Sequence, residues 1–122
     1  TVTKVVLTVD DSRTMRDMLR LALSEAGFNV VQAEDGVHGL EQLAGCTPDV
    51  IVTDINMPRM DGFQFITEVR SIDAHRAVPI LVLSTESDQE KKLRARNAGA
   101  TGWIVKPFDP VKLVDAVRRV AA

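Results

Sequence analysis

The chain is expected to be an α/β domain, one parallel sheet covered by helices on both faces, and three observations point there. Short β-branched runs alternate with amphipathic stretches from one end to the other. Each run is close to continuously apolar, as strands buried on both faces must be. Five run-and-helix pairs fit in 122 residues, the size of one ordinary domain, so residues 1–122 are read as a single unit. A chain of that length buries roughly two-thirds of its unfolded surface, enough for a core of its own.

The first strand is placed at Val5 to Val9. After it, Met15, Met18, Leu19, Ala22, Leu23 and Ala26 recur on one helical stripe, and Gly27 stands where a C-terminal cap belongs. Val30 to Ala33 makes the second strand, followed by a helix from Val37 to Ala44 that Gly45 stops. The third pair is Val50 to Thr53 and a helix from Phe63 to Ser71, with Phe63, Ile66 and Val69 facing inward. The fourth is Ile80 to Leu83 and Gln89 to Ala98, ended by Gly99. Trp103 to Val105 is the last strand. Asp109 then caps the last helix, Pro110 takes its first position, and Leu113, Val114, Val117 and Val120 form its buried face. All five apolar runs are too short to be helices themselves.

Composition narrows the function. A net charge of −2 argues against a general nucleic-acid binder, which carries a clear basic excess. No apolar stretch is long enough to span a bilayer, and no charged segment followed by an apolar one opens the chain, so a cytoplasmic location is expected. Cys46 is alone, which leaves no intrachain disulfide and no cysteine-based metal site. It is read as a small apolar residue.

Polar residues that follow strands deserve the closest reading, because a parallel sheet with right-handed crossovers brings all C-terminal strand ends to one edge, where ligands bind. The first strand ends in Asp10 and Asp11, the third in Asp54, the fourth in Ser84 and the fifth in Lys106. Three carboxylates in one cleft repel one another, so the arrangement needs raised pKa values or a bound cation. Oxygen ligands favour magnesium or manganese, and few carboxylates with phosphate oxygens and waters is the usual magnesium arrangement. Asp54 would then stay ionised and serve as a carboxylate nucleophile toward a phosphoryl group. Lys106 would neutralise one phosphoryl oxygen as a point charge, Ser84 would donate to another, and backbone N–H groups after Asp54 would take the third. Positioning and charge neutralisation are most of what phosphoryl transfer requires.

Four pieces, in this order and each beside a strand, are Val9-Asp10-Asp11-Ser12, Asp54-Ile55-Asn56-Met57-Pro58-Arg59-Met60-Asp61-Gly62, Leu83-Ser84 and Lys106-Pro107-Phe108. Together they resemble the response-regulator receiver family over essentially the whole chain, and within it the stand-alone chemotaxis regulators. The resemblance, not the spacing, implies a doubly wound five-stranded sheet of order 2-1-3-4-5 with five helices. It implies Asp54 as phosphoacceptor, direct metal contacts from Asp11 and Asp54, a largely water-mediated one from Asp10, and a ligand in the Asn56 carbonyl. It implies that Ser84 and Lys106 read the phosphoryl group, that the Lys106–Pro107 peptide is cis, and that Asn56 and Glu86 tune dephosphorylation. By the same resemblance the phosphodonor is a histidine kinase. The output partner is a protein such as a flagellar motor switch component, docked through the fourth helix, last strand and last helix of a monomer. One position departs from the family's commonest pattern: Trp103 stands where Tyr or Phe usually acts as a rotating switch with Ser84.

Plainer readings stand beside these. Asp10-Asp11-Ser12 is also a helix-capping sequence, and Asp54 with Asp61-Gly62 is also turn chemistry. Glu34 and Asp35 are read as capping residues, and His38 and His75 as surface residues. Lys91, Lys92, Arg94 and Arg96 form either a solvated helix face or a docking surface, and Trp103 either packs or switches. A receiver that drains or relays phosphoryl groups, or one cut from a transcription regulator, remains open. A magnesium-dependent phosphatase with an aspartyl nucleophile would want a second acid two residues after Asp54 to act as acid and base, where this chain has Asn56. A flavodoxin-like carrier would place a phosphate where Asp10 and Asp11 repel it.

Overall fold

The computed structural model describes residues 3–122, so the first two residues of the expected domain lie outside the described residues. The elements are β1 (Val5–Val9), α1 (Arg13–Glu25), β2 (Asn29–Ala33), α2 (Gly36–Leu43), β3 (Val50–Thr53), α3 (Gly62–Ser71), a 3-10 turn (Asp73–His75), β4 (Ile80–Ser84), α4 (Gln89–Ala98), β5 (Gly102–Val105) and α5 (Pro110–Ala121). All strand pairs are parallel, in the order β2-β1-β3-β4-β5. No helix among the described residues is long and apolar enough to cross a membrane.

Alternation along each strand divides the core into two layers, since successive side chains point to opposite faces. Leu7, Val9, Ile51, Ile80 and Val82 pack with Leu43, Phe65, Ile66 and Val69 on the side of α2 and α3. Val6, Val50, Val52, Leu81 and Leu83 pack with Leu19, Leu23, Leu113 and Val117 on the side of α1 and α5. The strands read as continuous apolar runs because both faces are covered.

Helix starts are set by side chains. Ser12, Asp35, Asp61, Asp88 and Asp109 each accept a hydrogen bond from a first-turn N–H of the helix that follows, satisfying donors that have no partner inside the helix. Gly27 has φ +95°, and the N–H groups of Gly27 and Phe28 reach back to the carbonyls of Ser24 and Leu23, closing α1 as a left-handed cap requires.

The structure corrects three details. Met18 is 46% exposed, because α1 meets the sheet along the narrower ridge of Leu19 and Leu23, so its buried stripe is thinner than the apolar periodicity suggests. In α5 only Leu113 and Val117 are fully buried, with Val114 and Val120 at the margin. His75 is buried at 4% exposure, not a surface residue. The 3-10 turn folds it beneath Arg70, whose guanidinium donates to the carbonyls of His75, Arg76 and Gly99.

Candidate functional site

Register decides which side chains meet. Val9 lies opposite Thr53 and Thr53 opposite Val82, while Ser84 lies opposite Val105. The ladder runs one residue further on each side, through Asp10 N–H to the Ala33 carbonyl, Asp54 N–H to the Val9 carbonyl and Lys106 N–H to the Ser84 carbonyl. Asp10, Asp54, Ser84 and Lys106 therefore stand together at the C-terminal edge of the sheet.

Asp10 and Asp54 are buried, at 1% and 8% exposure, whereas Asp11 faces solvent. One oxygen from each of the three carboxylates lies within 4.8 Å of the others. Lys106 spans the two buried acids, its Nζ 2.9 Å from Asp10 Oδ2 and 3.0 Å from Asp54 Oδ2. Burial pushes the Asp10 carboxyl above the usual range, against the lowering pull of Lys106 and of the Ser12 N–H, with Asp54 adding to the rise. Burial works against the Lys106 charge, but the hydrogen bonds to Asp10 and Asp54 and the attraction of their charges together outweigh it, and the ammonium titrates above its ordinary value. The edge is thus built around positive charge: one ammonium set among three acids.

Local bonds hold the carboxylates in place. Ile55 N–H donates to Asp54 Oδ1 at 2.7 Å, Ser12 N–H donates to Asp10 Oδ1, and the Arg16 guanidinium donates to the Asp10 carbonyl at 2.7 Å. Gly62 closes the loop after β3. Its N–H donates to the Ile55 carbonyl at 2.8 Å, and a Cβ there would stand 2.2 Å from the Asp54 carbonyl oxygen. The Lys106–Pro107 peptide is cis. Ser84 is fully buried, and its hydroxyl accepts from the Glu86 N–H.

Glu86 and Trp103 lie at the rim. Glu86 is ion-paired with Lys91 of α4, and that contact holds its carboxyl below the usual range against desolvation. Trp103 is half-buried and its indole N–H donates to the Glu86 carbonyl at 2.8 Å. Asn56 is exposed on the loop after Asp54.

Residues 6–118 match the response regulator receiver domain. The chain belongs to the response regulator receiver family. Over 117 residues, 94% of each chain, this receiver is 38% identical to "Chemotaxis protein CheY1" of Helicobacter pylori. It superposes on the structure of the chemotaxis response regulator CheY4 of Vibrio cholerae with a TM-score of 0.93 and 43% identity, covering 98% of this chain and 99% of that one. It also resembles a part, 15% by length, of the sensor histidine kinase CheAY of Helicobacter pylori, at 34% identity. The fold and strand order implied by resemblance are those found, and the family is one of signalling modules rather than enzymes.

The donor set fits a magnesium ion. Asp10, Asp11 and Asp54 offer a small number of carboxylate oxygens and no nitrogen or sulfur, on an edge left partly open by the exposed Asp11, the donor chemistry that magnesium takes. Two neighbours escaped sequence reading. Asp35 caps α2 as expected, but its buried carboxylate is also gripped by Arg59, and Lys91 pairs with Glu86. Glu34 is not a cap: its N–H donates to His38 Nδ1. Neither pair carries a spacing signal, because the partners come together only through loops.

Proposed function

We propose that this receiver takes a phosphoryl group onto Asp54 from a histidine kinase and signals in chemotaxis by binding another protein when phosphorylated. The observation that carries the proposal is the meeting of Asp54 with Asp10, Asp11 and the bridging Lys106 at one sheet edge. Asp10, Asp11, Asp54 and the Asn56 carbonyl would hold magnesium, with manganese as a substitute. When bound, the ion supplies charge neutralisation on the phosphoryl oxygens.

The chain's own groups do the rest. An Asp54 carboxylate oxygen attacks phosphorus in line, the bond from phosphorus to the donor's imidazole nitrogen breaks, and that nitrogen keeps the electron pair. Ile55 N–H fixes the carboxylate plane before attack, which lowers the entropic part of the barrier. Lys106 already lies 3.0 Å from Asp54 and needs little movement to meet a phosphoryl oxygen. Asn56 and Glu86 would govern how readily water reaches the aspartyl phosphate.

Ser84 and Trp103 are joined through one segment. Ser84 accepts from the Glu86 N–H, and Trp103 donates to the Glu86 carbonyl. A Ser84 hydroxyl turned toward a phosphoryl oxygen would release Glu86 N–H and loosen the anchor of Trp103. The consequence is felt at a groove of about 370 Å³ between α4 and β5, lined by Lys92, Ala95, Arg96, Thr101 and Trp103 among others. This face supports the docking of an output protein such as a motor switch component. A second reading, a receiver that drains or relays phosphoryl groups, draws support from the likeness to part of a sensor kinase.

The test is incubation with magnesium and acetyl phosphate, followed by intact mass and Trp103 fluorescence. The wild type gains one phosphoryl mass with a fluorescence change, and both vanish in Asp54→Ala or with chelator. A gain that persists in Asp54→Ala would place the chemistry elsewhere.

A further inference from the structure

The loop that joins Asp54 to α3 carries a second device, set apart from the acidic edge. Arg59 is the one non-glycine residue among those described with positive φ, +65°. Such a backbone is disfavoured for a side chain of that size, so something must hold it. The holding contact is an ion pair: Arg59 Nε lies 2.7 Å from Asp35 Oδ2 and its NH2 nitrogen 3.0 Å from Oδ1, a two-pronged grip that only a guanidinium makes. The Asp35 side chain is 4% exposed. Its Oδ1 also accepts from His38 N–H, so one carboxylate caps α2 and clamps the loop.

The clamp continues through packing. Met60, next to Arg59, lies so close to Gly36 that a Cβ there would come within 2.8 Å of its side chain. Met60 N–H donates to the Pro58 carbonyl at 2.7 Å, and Gly62 N–H to the Ile55 carbonyl. Residues 55–62 are therefore tied at their base beneath Asp54 and at their tip to the start of α2. Asn56 lies between those two ties.

We infer that Arg59 and Asp35 form a latch that positions the Asn56 segment for cation binding beside Asp54, making Arg59 a positioning residue that touches neither ion nor phosphoryl group. The inference rests on the proposed metal site. Arg59 is half-exposed and Asp35 buried, so the latch can be removed from its outer half without opening the core.

The test measures magnesium affinity by titration calorimetry and amide exchange of Met60 and Gly62 in the metal-free protein. It compares wild type, Arg59→Ala, Arg59→Lys and Asp35→Asn. The last keeps a good cap for α2 while removing the charge that grips Arg59. Arg59→Ala should bind magnesium about tenfold more weakly, as loss of a support behind a metal ligand commonly does, with faster exchange at both amides. Asp35→Asn should lose affinity in the same direction, a variant carrying both Arg59→Ala and Asp35→Asn, made as a fifth comparison, should lose little more than Arg59→Ala alone, and Arg59→Lys should recover part of the loss. Wild-type affinity and exchange in both Arg59→Ala and Asp35→Asn would overturn the latch. Failure of the wild type to bind magnesium would instead sink the proposed metal site, and the amide exchange would still decide whether the latch orders the loop.

Discussion

Individual residues show where stability yields to function. Asp10 is buried and its carboxyl is pushed up, so keeping it charged at neutral pH works against folding, which is the ordinary cost of a prepared cation site. Thr8 shows the same tension in a simpler form: its hydroxyl is buried in the interior strand β1 with no hydrogen-bond partner among the described residues. Thr8→Val removes that orphan at nearly constant volume and is expected to be neutral or stabilising by up to about 1 kcal/mol in urea melts; a loss of stability would mean the hydroxyl has a partner. Asp35 gives a pH prediction of definite sign. Arg59 holds its carboxyl below the ordinary value, against desolvation. The folded state therefore binds that proton less readily than the unfolded chain. The stabilisation is full above the unfolded pKa of about 3.9 and disappears as pH falls through the lower folded value. Acid unfolding followed by circular dichroism should show a shallower decline in Arg59→Ala below pH of about 4 than in wild type.

Elements place these residues, and the loop from Asp54 to α3 is the most constrained of them. A methyl group on Gly62 would overlap the Asp54 carbonyl oxygen and Ile55. Gly62→Ala should therefore cost roughly 2–4 kcal/mol and weaken magnesium binding in calorimetry, while the same change at Gly45, where a Cβ meets nothing within 4 Å, should do neither. Equal behaviour of the two variants would show that the loop has room to adjust. The strands were legible in the sequence because burial on two faces leaves an uninterrupted apolar run, and the start of α5 because Asp109 and Pro110 stand as cap and first helical residue; Asp61 and Asp88 cap α3 and α4 as well, a role their sequence context alone did not assign. Burial of helix faces was less legible. In α4 only Ala95 is fully buried, and Leu93 is 58% exposed, so that helix shows almost no apolar stripe, and Gly99 was its one clear boundary in the sequence. Met18 misled in the opposite sense, since periodicity reports what a helix offers and not how wide a neighbour it meets. Arg59 and Asp35 are 24 residues apart, and nothing local signals that they touch.

At the scale of the whole molecule, topology converts remote sequence positions into a site. The acids and Lys106 were legible because parallel strands deliver their C-terminal ends to one edge whatever lies between them; Lys106 meets Asp10 across 96 residues. The bridge that Lys106 makes between Asp10 and Asp54 was beyond sequence reading, since it depends on the alignment of β1 with β3. The same topology sets β4, β5 and α4 side by side, so that Ser84, Glu86 and Trp103 connect the acid edge to the α4–β5 groove. The function proposed for this edge is acceptance of a phosphoryl group on Asp54 from a histidine kinase with the aid of magnesium. Its most direct test is transfer from a purified chemotaxis kinase carrying radiolabelled phosphohistidine, with the bond type read from its stability in acid and base. Label should move rapidly and chelator-sensitively onto the wild-type chain as a base-labile acyl phosphate, and none should move onto Asp54→Asn. Label that moves equally onto Asp54→Asn, or equally well in chelator, would contradict it.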